Sequence, residues 1–112
     1  MVDIKEPEPI VEKAENKNSV YCSCILYLRE VLGVPIYGDA HTISANSYPA
    51  KGHVILLKYK GISHAAYILE TYPGGVFVKE SNYKHCKVTE RFIAWNSPEI
   101  RGFWSSQLTS SR

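Results

Sequence analysis

Residues Lys51 to Tyr83 read KGHVILLKYKGISHAAYILETYPGGVFVKESNY, and the alternation in this stretch decides the fold. Through SHAAYILE, His64, Ala66 and Ile68 fall on one side of a strand and Ala65, Tyr67 and Leu69 on the other, because successive side chains of a strand point to opposite faces. The next run alternates as well. Val76, Val78, Glu80 and Asn82 share one face, and Phe77, Lys79 and Ser81 the opposite one. Tyr72-Pro73-Gly74-Gly75 between the runs reads as a turn, since proline fixes φ and glycine accepts positive φ. The two strands therefore predict an antiparallel hairpin. A pairing that keeps His64 and Asn82 on one side sets them opposite each other, with Glu80 one pleat further in. A histidine, a carboxylate and an amide then meet on one surface. That surface lacks a nucleophile, and the strong candidate lies upstream at Tyr21-Cys22-Ser23-Cys24.

Working outward, 112 residues with 45% apolar content describe one globular domain. A formal net charge of +2, with lysines scattered among glutamates, gives no basic stripe, so nucleic-acid binding is not expected. The N-terminal MVDIKEPEPIVEKAENKNS lacks the apolar core of a signal peptide, and no later run approaches the roughly 20 residues of a membrane span. Synthesis in the cytoplasm without membrane insertion is expected. Three cysteines, an odd number, argue against a disulfide framework and leave at least one free thiol, and no ligand spacing suggests zinc.

Residues 1–10, with their prolines and alternating charge, read as an extended arm, and 11–17 have room for a short helical turn. Asn18-Ser19 then reads as the cap of a helix over Val20–Leu32, ended by Gly33 and Pro35. Its apolar stripe is Cys24, Leu28, Val31 and Leu32, which turns the Cys24 thiol toward the sheet. Cys22 shares its direction with Arg29 and faces away. Residues 36–50 read as a long connection with one helical turn near Ala40; His41 within it reads as a solvated loop histidine. Strands follow at His53–Tyr59, Ser63–Thr71, Gly75–Asn82, Lys87–Ala94 and Ile100–Trp104, and the tail 105–112 frays. The layout is α+β: an N-terminal helix packed on an antiparallel meander.

This order suits thiol chemistry. A free thiol, with a pKa of about 8.5, is mostly protonated at neutral pH; a helix N-terminus and a neighbouring imidazole stabilise the thiolate. A histidine on the packed strand takes the proton, and a carboxylate or amide behind it fixes the ring. Cys24, His64 and then Glu80 or Asn82 fit these places. Taken singly, each has an ordinary structural reading, as a packed thiol, a core histidine or a solvated strand face. The four together, in this order, favour a catalytic site.

The order Asn18-x-x-Tyr21-x-x-Cys24-x-x-Tyr27-Leu28, then Pro49-x-x-Gly52, then Ser63-His64-Ala65-Ala66-Tyr67-Ile68, then Glu80-Ser81-Asn82-Tyr83, resembles the CHAP domain, the cysteine- and histidine-dependent amidohydrolase/peptidase. The resemblance covers nearly the whole chain, 1–112 as a single domain, and extends to Val88-Thr89-Glu90-Arg91 and Ile100-Arg101-Gly102-Phe103. It implies a papain-like fold, related to the NlpC/P60 peptidases, with Cys24 as nucleophile, His64 as general base, Glu80 orienting it and Asn82 as polar neighbour. It further implies cleavage of an amide of bacterial peptidoglycan, by an amidase or an endopeptidase, as in bacteriophage lysins that act on the wall after release. No cofactor and a monomer are expected.

Two departures from the family bear on the site. Many members carry Gly-Gln before the cysteine where this chain has Cys22-Ser23, so Tyr21 and Ser23 beside the Cys24 backbone N–H become the candidate oxyanion donors. Some phage members bind calcium through spaced aspartates upstream of the cysteine, where EKAENKNSVY sets lysines among the carboxylates; no metal site is expected. Two further readings stand beside the wall hydrolase. One is a catalytically idle module of the same fold, for binding or for virion structure; the other is a thiol hydrolase of some non-wall amide.

Overall fold

Turn residues divide the second half of the chain into strands that pair in sequence order. In the computed structural model, which describes residues 10–12 and 19–106, these are β2 (Val54–Tyr59), β3 (Ile62–Tyr72), β4 (Gly75–Lys84), β5 (Lys87–Ala94) and β6 (Ile100–Trp104), with β1 (Ile10–Glu12) added at the edge. The sheet order is β1-β5-β4-β3-β2-β6, and every pairing is antiparallel. Lys60 and Gly61, with φ of 50° and 81°, make the two-residue turn between β2 and β3, whose positive φ at both centres matches the twist of the flanking strands. The expected strands are all present, with ends moved by a residue or two.

Each face of the sheet has its own core. On one, Val54, Leu56 and Ala65 pack with Ile25, Leu28, Val34, Ile36, Ala40 and Ile43 from the preceding segments. Residues from strands alone, among them Ile55, Leu57, Ala66, Ile68, Val76, Val78 and Ile93, form the other. Ile100 and Phe103 of β6 pack against this second core. Leu28 is fully buried in the first core, and Leu28→Ala there costs about 2–5 kcal/mol.

The helix departs from the expected Val20–Leu32 span. Ser19–Cys22 is a separate 3-10 turn, and α1 (Cys24–Leu26) starts only after Ser23, which is extended at φ −141° and ψ 123° and caps it. Asn18 and the side chain of Ser19 lie outside what the structure describes, and the cap of α1 is Ser23. Beyond Leu26 the helix widens into a π-helical turn, Tyr27–Val31, closed by the Leu32 N–H on the Tyr27 carbonyl at 3.2 Å. The wider turn rotates its end, so Tyr27 and Leu28 point inward while Val31 is 47% exposed. A stripe counted on regular helical spacing therefore fails at Val31. Of the proposed arm, residue 10 belongs to β1 and residues 1–9 lie outside the described residues; of the proposed turn at 11–17, residues 11–12 are strand and 13–17 also lie outside. The connection does carry a helical turn, Ala40–Thr42. At the tail, Ser105 exchanges two hydrogen bonds with Asn46, and residues 107–112 are outside the described set. Among the described residues no helix is long and apolar enough to cross a membrane.

Candidate active site

The β3–β4 ladder is where the site opens. Its pairing runs from Tyr72↔Gly75 through a register shift to Tyr67↔Lys79. Counting three residues further along each strand reaches His64 and Asn82, the juxtaposition expected from the alternation, but the ladder has ended by then. The N-terminal turn of α1 contacts both strands at this opening, and the Ala65 backbone N–H donates to the Cys24 sulfur, joined by the Ile25 N–H.

Ser23 makes this placement possible. Its Oγ accepts from the Leu26 N–H at 3.1 Å, satisfying one of the helix's unpaired amides and putting Cys24 at the first helical position. Cys24 is a free, half-buried thiol. Burial alone would raise its pKa; the hydrogen bond and charge of His64 and the two backbone N–H groups outweigh this and hold it below the ordinary thiol range.

His64 reaches the same point from the strand-only face. Its Nε2 lies 2.9 Å from Glu80 Oε1, which leaves Nδ1 for the sulfur. Burial disfavours the imidazolium, but hydrogen bonds to Cys24 and Glu80 and the charges of both prevail and raise its pKa to about 9. Thiolate and imidazolium thus stabilise each other. Glu80 is 0% exposed, and a lone buried carboxylate would be costly. Thr89 Oγ1 donates to its Oε2 at 3.0 Å, Arg91 Nε to Oε2 at 2.7 Å and Arg91 Nη2 to Oε1 at 3.3 Å. Burial pushes the carboxyl up, yet His64 and Arg91 bring it below the usual carboxylate range. Arg91 also stacks on the Tyr83 ring at 3.7 Å.

The residues singled out by sequence divide here. Cys24, His64 and Glu80 form one hydrogen-bonded row. Asn82 does not join it: at φ 70°, within a register shift between Ser81 and Lys84, it donates from Nδ2 to the Cys22 carbonyl at 3.0 Å and accepts the Cys86 N–H at 2.8 Å. Ser23 uses its hydroxyl as a cap, and Tyr21 contributes its carbonyl, which accepts from Ser81 Oγ at 2.7 Å. The expectation against disulfides is also corrected, because Cys22 and Cys86 are bonded. An odd count excludes only complete pairing, and the third cysteine is the thiol of the site. The disulfide, Asn82 and Ser81 together clamp the segment before Cys24 onto the end of β4.

Thr89 and Arg91 escaped the sequence reading. The parity of β5 carries a signal for them, since both share the side of the buried Ile93, and an arginine there requires a carboxylate. His41, read as a solvated loop residue, lines with Asp39, Ser63, Asn82 and Cys24 a cleft of about 430 Å³. A second cavity, about 120 Å³, opens on the other side of the imidazole. Comparison with protein families, characterised proteins and solved structures found no match.

Proposed function

We propose that the chain is a thiol hydrolase of papain-like type, a CHAP-domain enzyme that cleaves an amide bond of bacterial peptidoglycan. The observation that carries the reaction class is the row Cys24–His64–Glu80, with the thiol lowered, the imidazole raised and the carboxylate fixed from behind by Arg91. The wall as substrate rests on the sequence resemblance. The disulfide fits work in an oxidising setting, outside the reducing interior of a cell.

In this mechanism the Cys24 thiolate attacks the amide carbonyl carbon while Glu80 holds the His64 ring by its Nε2–H. As the tetrahedral intermediate collapses, the C–N bond breaks and Nδ1 gives its proton to the departing amine, leaving a thioester on Cys24. Water, losing a proton to the now neutral imidazole, attacks the thioester; the C–S bond breaks, the acid is released and the thiolate–imidazolium pair is restored. The Cys24 backbone N–H, at the first helical position, serves as the oxyanion donor in this mechanism.

Mass spectrometry of purified wall incubated with the protein tests the reading. New lactyl ends on muramic acid indicate an amidase, and new alanine or glycine amino ends an endopeptidase. Intact wall, with intact fold, would leave the idle binding module.

A further inference from the structure

The smaller cavity behind His64 is not used by the chemistry above. Tyr59, Ile62, Tyr83, Arg91 and Glu99 line it together with the imidazole. One of its groups is unfinished. Glu99 Oε1 is buried and has no hydrogen-bond partner, alone in this among the buried side-chain atoms of the described residues. Arg91 Nη1 stands 3.8 Å away, beyond hydrogen-bonding distance, with its Nε and Nη2 turned to Glu80. A buried acceptor without a donor is costly and calls for one from outside.

Charge states which donor. Among the groups that line the cavity, Arg91 is hydrogen-bonded to Glu80 and meets Glu99 only at 3.8 Å, so the carboxylate of Glu99 is the acceptor left to a cationic donor. The walls agree. The Tyr59 and Tyr83 rings stand 6.4 Å apart, and aromatic faces attract cations. Two ammonium groups of the chain already approach these rings from the flanking turns, Lys60 at 5.4 Å from Tyr59 and Lys84 at 5.9 Å from Tyr83. At about 120 Å³ the cavity has room for an ammonium and its carbon stem.

We infer that this cavity is a subsite for a primary ammonium group of the substrate, held by Glu99 beside the contacting rings of Tyr59 and Tyr83. The inference rests on the hydrolase reading and adds a substrate class to it. The cavity is lined by His64 and not by Cys24, so it takes the half of the substrate that lies past the imidazole and leaves as the amine; that half then carries a second, free amine, as a diamino-acid residue does. Tyr59 and Ile62 are 42% and 69% exposed and form the lip over which that half enters.

Soluble wall fragments with free amines are compared with the same fragments N-acetylated. The expected result is a KM about tenfold higher after acetylation, with kcat little changed, and a Glu99→Gln protein that treats both alike. Equal KM values for the two substrates in the wild type would overturn the subsite while leaving the hydrolase standing. If neither fragment is cut, the hydrolase reading fails and a binding measurement decides the subsite. n-Propylammonium should shift the ring resonances of Tyr59 and Tyr83 in the wild type, with n-propanol as control. Shifts absent with propanol and in Glu99→Gln support it; no shift, or the same shift with propanol, overturns it. Tyr59→Ala, at an exposed position, should weaken the ammonium response without threatening the fold.

Discussion

Arg91 grips Glu80 through two nitrogens, Nε to Oε2 at 2.7 Å and Nη2 to Oε1 at 3.3 Å, and so fixes the carboxylate that fixes His64. The pair is buried, 7% and 0% exposed in its side chains. Removing one member leaves the other charge uncompensated. Arg91→Ala is expected to cost about 3–5 kcal/mol in urea unfolding, whereas Arg91→Met with Glu80→Leu restores much of the stability and none of the turnover. A loss below about 1 kcal/mol in the single variant would show that water, not Arg91, satisfies Glu80.

Activity should follow a bell in pH, since the thiolate and imidazolium are both required. The acid limb falls where Cys24 recovers its proton, below the ordinary thiol range, and the alkaline limb near His64's value of about 9. A rate flat from about pH 5 to 9 would count against the pair.

Stability should behave differently from activity. His64 is raised from 6.5 to about 9, so its contribution is complete below 6.5 and lost as pH rises through about 9. Cys24 is lowered from 9.0, so its contribution is complete above 9.0 and lost as pH falls through the folded value. Between these limits folding moves a proton from sulfur to imidazole without changing the number bound, and stability is level. In Cys24→Ser only the His64 part remains. Without the Cys24 contribution the folded value of His64 lies below the wild type's value of about 9, so the melting temperature of the variant is expected to drop from pH 6.5 upward and to level off before pH 9 while that of the wild type holds; a parallel drop in both proteins contradicts the proton exchange.

The two neighbouring cysteines should separate cleanly. Cys24→Ser abolishes turnover and keeps the fold, because an imidazole matched to a thiol does not ionise a hydroxyl. Cys22→Ser opens a loop of sequence separation 64 and is expected to lower stability by about 4 kcal/mol on the chain-entropy account, with turnover retained well below its melting temperature. Reductant should lower the melting temperature of the wild type and leave that of Cys22→Ser unchanged. Iodoacetamide near neutral pH should modify Cys24 first.

Strand content, strand ends and the His64–Glu80 side of the sheet were legible because alternation has a period of two and tolerates no slip. Cys24 was legible as a first-turn residue, though the helix that carries it starts later than expected, with Ser23 as its cap. What escaped depends on geometry that has no period. The π turn that expels Val31, the positive φ that takes Asn82 out of the His64 row, and the approach of Cys22 to Cys86 arise where regular spacing breaks. Arg91 was hidden differently, as a charged residue in a strand normally faces water.

The early end of the β3–β4 ladder also governs when the thiol becomes reactive. Everything that lowers the Cys24 pKa, apart from the neighbouring Ile25 amide, belongs to His64 and Ala65 on β3, forty residues or more away along the chain. An unfolded or nascent chain therefore holds three ordinary thiols. In the folded chain Cys22 and Cys86 are bonded, and Cys24 is left as the free thiol in the cleft wall. Oxidation and activation are thereby divided by topology: the fold that pairs two of the thiols is the one that makes the third reactive.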